Sequence, residues 1–226
     1  MTQSSSVIES SLPMLDVEFT LIDIVDLRMA TVVSEIHLEV FHGYLNARLG
    51  RGYTRALIQW YVKQEDAIAL AAIDRNHQII GYAIGGPVSL AQKLSSDMFW
   101  VTARSIVLHP WVALDKRLWK VAQARFTPKH INGKIGNRLA LAEPTFSLRG
   151  IGVKSSHQGK GVGKLLLHAF EERAKILRAK SLVLWVYSDK AATRRLYERC
   201  GWRPFPGSIQ NTGSIKYVRM LDQPYS

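Results

Sequence analysis

The feature of this sequence that most restricts its fold is a glycine-rich turn between an apolar, strand-like run and a helix-like run. The first run ends at Val153 and the second begins near Val162, with the turn at Gln158-Gly159-Lys160-Gly161-Val162-Gly163. Glycines there let backbone N–H groups come close to a ligand. The first N–H groups of a helix lack partners within the helix and carry partial positive charge. The turn therefore predicts an α/β protein with a pyrophosphate site at a helix N-terminus.

Two common phosphate-binding motifs do not explain this turn. A dinucleotide-binding motif, Gly-x-Gly-x-x-Gly, would need a third glycine where the chain has Lys164. A nucleotide-binding P-loop would need Ser or Thr after Gly163-Lys164, and Leu165 stands there. Lys154, Lys160 and Lys164 add positive charge close to the turn, which again favours an anionic ligand.

Apolar periodicity predicts strands alternating with helices along the chain, which is typical of a mixed α/β sheet. Strand-like patterns cover 17–25, 67–73, 79–85, 146–153, 181–187 and 215–221. Helix-like patterns cover 27–61 (in two or more helices), 98–108, 111–126, 162–178 and 190–200. We expect one domain over 16–226, with a basic helical insertion at 88–142 between the third and fourth strands. The serine-rich residues 1–15 are expected to be a disordered tail.

The insertion dominates the charge of the chain, which has a net charge of +12 and a pI of about 10.0. Residues 98–139 hold eight Lys or Arg and one acid, Asp115. In the predicted helix 111–126 the apolar residues form one stripe, which we expect to pack on the domain. We also expect the aromatic residues of the insertion to form a small core of their own: Phe99, Trp100, Trp111, Trp119 and Phe126.

Composition limits the function classes. A single cysteine, Cys200, excludes an internal disulfide framework and a cysteine-rich zinc site, and we expect it to be packed at a helix end. The seven histidines show no zinc-ligand spacing, so no metal is predicted. No apolar run approaches the ~20 residues that span a bilayer. Residues 1–13 do not have the pattern of a secretory signal, so a cytoplasmic location is expected.

The glycine turn resembles the Gln/Arg-x-x-Gly-x-Gly/Ala signature of the GCN5-related N-acetyltransferase (GNAT) superfamily, through Gln158, Gly161 and Gly163. Tyr197, Gly201 and Trp202 resemble its second signature, in which a helix ends in Tyr-x-x-x-Gly-aromatic. The similarity is good over residues 144–206. It implies a mixed, mostly antiparallel central sheet flanked by helices, and transfer of an acetyl group from acetyl-CoA to an amine by direct attack.

The resemblance also implies roles for particular residues. The backbone of the fourth strand would bind the pantetheine arm, the amides of residues 159–164 would bind the pyrophosphate, and Gln158 would contact the cofactor. Tyr197 would be the general acid that protonates the leaving thiolate. A structural interpretation stands beside two of these roles, since Tyr197 could only pack on the sheet and Gln158 could only cap a turn. The implied acetyl-CoA site comprises Ile151, Gly152, Val153, Gln158, Gly159, Lys160, Gly161, Val162, Gly163 and Lys164.

The chain departs from the family pattern in three places. Lys190 stands where many members have a cofactor-contacting asparagine, and Thr193 stands where they have alanine. Ser147 occupies the strand position where some members have a glutamate base, so the base is unassigned. Glu143 is the first candidate to replace it, and His109 and Asp97 are weaker ones.

Several functions and partners therefore remain open. The preferred acceptor is a small-molecule amine of unidentified structure. Anionic and sugar-linked amines are the compounds considered for this role. One rival is a CoA-binding module without catalysis, and another is a basic adaptor on nucleic acid or an anionic membrane surface. The sequence leaves a homodimer open.

Overall fold

The computed structural model describes residues 19–114, 141–206 and 213–221. Its strands are β1 (Phe19–Asp23), β2 (Ile68–Asp74), β3 (Ile79–Pro87), β4 (Thr145–Val153), β5 (Ser181–Tyr187), β6 (Arg203–Pro204) and β7 (Ser214–Met220). They form one seven-stranded sheet in the order β1-β2-β3-β4-β5-β7-β6. The pair β4–β5 is parallel, and all other neighbouring pairs are antiparallel. The predicted fold class is confirmed.

Helices cover both faces of this sheet. They are α1 (Leu27–Val40), α2 (Leu45–Arg48), α3 (Gly50–Val62), α4 (Leu90–Asp97), α5 (Phe99–Leu108), α6 (Val162–Ile176) and α7 (Ala191–Arg199). One core lies between the sheet and the apolar sides of α6 and α7, and a second lies between the sheet and α1 with α3. The central strand β3 is buried from Ile79 through Gly86 because both cores contact it.

A buried polar cluster fixes α6 against the C-terminal part of the domain. The indole Nε1 of Trp202 donates a 2.7 Å hydrogen bond to Oε1 of the fully buried Glu171. The guanidinium Nε of Arg219 on β7 lies 3.4 Å from the other carboxylate oxygen. A buried carboxylate needs such partners, because an unpaired charge would be strongly destabilising there. The cluster holds the end of α7 next to α6.

The insertion between β3 and β4 differs from its prediction. The helix expected over 98–108 is confirmed as α5, but α4, which precedes it and meets it at Met98, was not predicted. At Pro110–Leu114 the expected α-helix is a 3-10 turn. The rest of that predicted helix, with Trp119 and Phe126, lies outside the described residues, as does the predicted tail. The proposed domain limits stay a prediction.

The prediction that the insertion buries its aromatic side chains is wrong for the three that the structure describes. Phe99 is 54% exposed, Trp100 79% and Trp111 53%, whereas the neighbouring Val112 is fully buried. Trp111, the first residue of the stripe that was predicted to pack on the domain, is exposed, so that prediction is also wrong at this residue.

Among residues 19–114, 141–206 and 213–221, no helix has the length and apolarity needed to cross a membrane.

Candidate active site

The candidate site is a cleft between the two parallel strands. Pairing between β4 and β5 covers only Thr145–Ser147 opposite Ser181–Val183, although β4 continues to Val153 and β5 to Tyr187. Beyond Ser147 the two strands separate. An unpaired strand edge presents backbone donors and acceptors, so this edge of β4 can bind an extended ligand.

A β-bulge shapes the start of the cleft. On β4, Gly150 pairs with Ile84 and Leu148 pairs with Gly85, so Arg149 is an extra residue between them. Bulges redirect a side chain and end regular pairing. The side chain of Arg149 is exposed and interacts electrostatically with the buried Tyr61 of α3. Burial raises the pKa of Tyr61, and the charge and hydrogen bond of Arg149 lower it in part.

The glycine turn lies at the open end of this cleft. Gly159 has φ of 79° and Gly161 has φ of 86°, values that favour glycine. A Cβ at either position would meet nothing within 4 Å, so the space next to the turn is open. Gly161 is the N-cap of α6, which places the unpaired N–H groups of that helix at this space. Lys160 and Lys164 are exposed beside it.

Gln158 has a structural role in this turn. Its side-chain Nε2 donates a 3.0 Å hydrogen bond to the carbonyl oxygen of Val153, the last residue of β4. This bond holds the turn against the end of β4. It is the turn-capping role that the sequence analysis gave as the alternative to cofactor contact. Cofactor contact by the same exposed side chain stays a prediction.

A shallow pocket adjoins the turn on the side of the β2–β3 loop. Arg75 and Asn76 of that loop line it together with His157 and Lys160. Arg75 comes from a part of the chain that carries no phosphate-binding motif, so sequence reasoning did not include it. Only the folded sheet brings Arg75 into one pocket with His157 and Lys160 of the glycine-turn region.

Tyr197 of α7 lies in the core beside the cleft. It is 5% exposed, and its ring centroid lies 6.1 Å from those of Trp202 and Tyr217. Burial raises the pKa of Tyr197 well above its ordinary value of 10, and nearby Tyr44 and Cys200 add to the effect. The phenol therefore keeps its proton at neutral pH. Cys200 is buried at the end of α7, as expected.

Two aromatic residues bound the cleft on the α1 side of the sheet. Tyr44, between α1 and α2, packs its ring 4.8 Å from that of Tyr187 at the end of β5. Burial, and to a lesser extent Tyr187 and Asp189, raise the pKa of Tyr44 to about 12. Tyr44 also contributes to the raised pKa of Tyr197. No motif marks Tyr44, and sequence reasoning missed it.

A buried hydrogen bond lies next to β4 on the face of the sheet that α1 covers. Nδ1 of His37 on α1 lies 2.6 Å from the hydroxyl oxygen of Tyr82 on β3, and both side chains are buried. The ring of Tyr82 fills the space under two glycines of β4. A Cβ at Gly152 would lie 2.8 Å from its Cε1, and one at Gly150 would lie 3.3 Å from its hydroxyl. These glycines let the aromatic ring pack against the strand that forms the cleft.

Burial lowers the pKa of His37 from 6.5 to about 4, so the ring is neutral at physiological pH. Between pH 6.5 and 4 the unfolded chain binds a proton there that the folded chain does not, so stability falls as pH falls. We expect a loss of about 3 kcal/mol across this interval, and none from this group above pH 6.5. Denaturant unfolding of wild type and His37→Gln at pH 7.5 and 4.5 measures it. The exposed His42→Gln is the control, and equal pH dependence in all three proteins would contradict this assignment.

Each of the three candidate bases forms a local contact in the structure. Oε2 of Glu143 accepts a 2.7 Å hydrogen bond from the amide of Thr145, at the paired end of β4. Asp97 accepts a 2.8 Å hydrogen bond from Nε1 of Trp60, and the ring of His109 packs on Gly50. Each of these side chains contacts a residue in its own part of the fold, and none of these contacts involves Tyr197. Ser147 is buried in β4, where the strands are still paired.

The described residues contain no group of three or more His, Cys, Asp or Glu that could hold a metal ion.

The profile of the Acetyltransferase (GNAT) family matches residues 33–202, which include the cleft, the glycine turn and Tyr197. The chain belongs to the GNAT acetyltransferase family, and its fold is the one on which this family transfers acyl groups from acetyl-CoA to amines. No curated protein matches the chain in sequence.

Solved structures share the fold at low sequence identity. YncA of Salmonella typhimurium, solved with its cofactor acetyl-CoA, is 16% identical with a TM-score of 0.56, over 92% of this chain and 97% of that one. The ribosomal-protein-S18-alanine N-acetyltransferase of Escherichia coli is 12% identical with a TM-score of 0.54, over 92% and 96%. A GNAT acetyltransferase of Staphylococcus aureus is 11% identical with a TM-score of 0.55, over 90% and 99%.

Proposed function

We propose that this protein transfers the acetyl group of acetyl-CoA to the primary amine of a small anionic acceptor in the cytoplasm, by direct attack. The observation that carries the proposal is a combination of three features. An open glycine turn lies at a helix N-terminus, β4 and β5 stop pairing after Ser147, and a tyrosine near them is buried and protonated.

The charge and the open space at the glycine turn suit acetyl-CoA. The open space next to Gly159 and Gly161 accepts a pyrophosphate, which the first N–H groups of α6 would bind. The exposed side chains of Lys160 and Lys164 add positive charge there. The pantetheine arm would lie along the free edge of β4. We assign this site to Ile151, Gly152, Val153, Gln158, Gly159, Lys160, Gly161, Val162, Gly163 and Lys164.

The reaction needs a proton donor for the leaving thiolate, and we assign it to Tyr197. Acetyl-CoA supplies the thioester whose acetyl group is transferred. A phenol whose pKa is raised stays protonated at neutral pH and can still donate to an anion that forms beside it. The amine must attack in its neutral form. Because Glu143 and Asp97 accept local hydrogen bonds and the ring of His109 packs on Gly50, we assign its deprotonation to none of them.

The acceptor would bind on the α1 side of the cleft. Val183, Trp185 and Tyr187 alternate onto this face of β5, and Trp185 is 42% exposed. At the bulge, the exposed Arg149 presents a guanidinium that can bind a carboxylate or phosphate. The flat apolar surface of Trp185 and the charge of Arg149 together favour a small anionic amine, including a sugar-linked one.

Saturating acetyl-CoA is expected to stabilise the protein against thermal unfolding, because the ligand binds the folded state alone. At a concentration of 100 Kd the gain is about 2.7 kcal/mol, which thermal denaturation measures easily. Addition of amines should then release free thiol, most rapidly with acceptors that carry a carboxylate or phosphate. Arg149→Gln should raise KM for these acceptors while the stabilisation by acetyl-CoA stays unchanged.

This experiment also separates the rival functions. Stabilisation by acetyl-CoA without thiol release from any amine would indicate a cofactor-binding module that lacks catalysis. The absence of stabilisation would contradict the proposed cofactor site itself. A preference for neutral or cationic amines would contradict only the acceptor class.

A further inference from the structure

We propose that α5 and the 3-10 turn at Pro110–Leu114 form a surface that docks on an anionic lipid bilayer. The surface consists of Phe99, Trp100, Arg104, Val107, Leu108 and Trp111. This interaction lies outside the acetyl-transfer reaction and is independent of it.

One side of α5 is apolar and faces water. At 100° per residue, four side chains point to this side of the helix. Trp100 is 79% exposed, Val107 78% and Leu108 60%, and the exposed Arg104 lies among them. A different side faces the protein, where Ser105 is buried and Val101 packs against the core. The helix therefore leaves Trp100, Val107 and Leu108 in water although another side of it is packed.

This exposed apolar surface continues beyond the helix. Phe99 packs edge-on against Trp100, with ring centroids 5.3 Å apart, and Trp111 follows at 53% exposure. With roughly 150–250 Å² for each aromatic side chain, these three residues present on the order of 300–400 Å² of apolar surface. Exposed apolar area of this size is often functional, so we take it as the basis of a docking surface.

The charge of the chain favours anionic lipid as the partner. The chain carries a net charge of +12, and Arg104 lies within the patch itself. The sequence that follows directly, 115–140, contains seven Lys or Arg and one acid. Exposed tryptophan and leucine in a segment rich in basic residues are the composition of helices that lie in the headgroup region of a bilayer. A partner without negative charge would explain the apolar side chains but not the excess of basic residues in this segment.

The position of the surface agrees with docking of the folded domain. α5 packs against α3, and His109, just after α5, packs on Gly50 at the start of α3. Both helices lie on the sheet face opposite α6. A protein bound through α5 would therefore keep the glycine turn of α6 away from the lipid.

Vesicle flotation of the full-length protein tests this surface. We expect binding to phosphatidylcholine vesicles that contain 30% phosphatidylglycerol, and at least about tenfold weaker binding to phosphatidylcholine alone. Trp100→Ser combined with Leu108→Ser should weaken binding to the anionic vesicles at least about tenfold. The control pair, Val25→Ser and Ile176→Ser, replaces exposed apolar residues outside the patch and should bind as wild type does. Brominated lipids should quench the wild-type fluorescence more than that of Trp100→Phe/Trp111→Phe.

Other occupants of the patch give different results. Absence of vesicle binding, or binding that the Trp100→Ser/Leu108→Ser pair leaves unchanged, would overturn the proposal. So would concentration-dependent dimerisation that this pair abolishes without any vesicle binding, since a second copy would then cover the patch. Thermal stabilisation by acetyl-CoA should be the same in all these variants, which separates a failure here from a failure of the proposed function.

Discussion

Tyr197→Phe is expected to lower kcat about 10²–10⁴-fold, which is the usual loss when one general acid is removed. The phenol lies beside the cleft with its proton retained, because burial raises its pKa. Phenylalanine keeps the ring and its packing against Trp202 and Tyr217, so the fold and the stabilisation by acetyl-CoA should change little. Steady-state thiol release, with a single-turnover measurement to isolate the chemical step, gives the comparison.

Tyr217→Phe is the matched control for this experiment. Tyr217 packs in the same core, but its hydroxyl donates a 2.6 Å hydrogen bond to Glu198 and accepts one from Arg194. Removing that hydroxyl should affect stability by about 1 kcal/mol and kcat only slightly. If Tyr197→Phe retains turnover within about threefold while chemistry limits the rate, the structural interpretation of Tyr197 is correct and another group protonates the thiolate.

Local patterns in the sequence predicted the parts of the fold that depend on local chemistry. The apolar run at 181–187 became β5 with the same limits, and the helix after the glycine turn begins at Val162 as expected. Both predictions depend on side chains within a few residues of one another, where periodicity and glycine placement determine the backbone. The spacing of Tyr197, Gly201 and Trp202 likewise placed a tyrosine at the end of a helix beside the sheet.

Local sequence patterns could not predict the contacts between distant segments of the chain. His37 meets Tyr82 across 45 positions of sequence, and Tyr44 meets Tyr187 across a much larger separation. No sequence motif marks either pair. A histidine or tyrosine in an apolar stretch has the same sequence pattern whether it borders a site or packs in a core. The separation of β4 from β5 is also a property of the assembled sheet rather than of either strand.

The insertion shows a different limit of periodicity. An apolar stripe predicts which residues share a side of a helix, but it does not say what that side contacts. The aromatic residues of the insertion are predicted to form a small core of their own, but the structure turns Trp100 toward solvent. The apolar side that the described residues leave uncovered is the observation on which the proposed bilayer surface rests.

Gly161→Asp is expected to weaken acetyl-CoA binding roughly 100-fold relative to Gly161→Asn. Both side chains tolerate the positive φ of this residue, and both fit the open space beside it, so they differ mainly in charge. A carboxylate about 5 Å from a phosphate, at an effective dielectric constant near 20, opposes binding by about 3 kcal/mol. That energy corresponds to roughly two orders of magnitude in Kd.

Calorimetric titration of acetyl-CoA into the two variants measures this ratio, with thermal denaturation of the free proteins to confirm equal folding. Salt should reduce the ratio, because screening weakens the repulsion at an exposed turn. A binding defect that Asp and Asn share would instead reflect backbone strain at the N-cap of α6. Equal, wild-type affinity in both variants would show that the phosphates bind elsewhere, and the pocket lined by Arg75 and Lys160 would then be the next anion site to test.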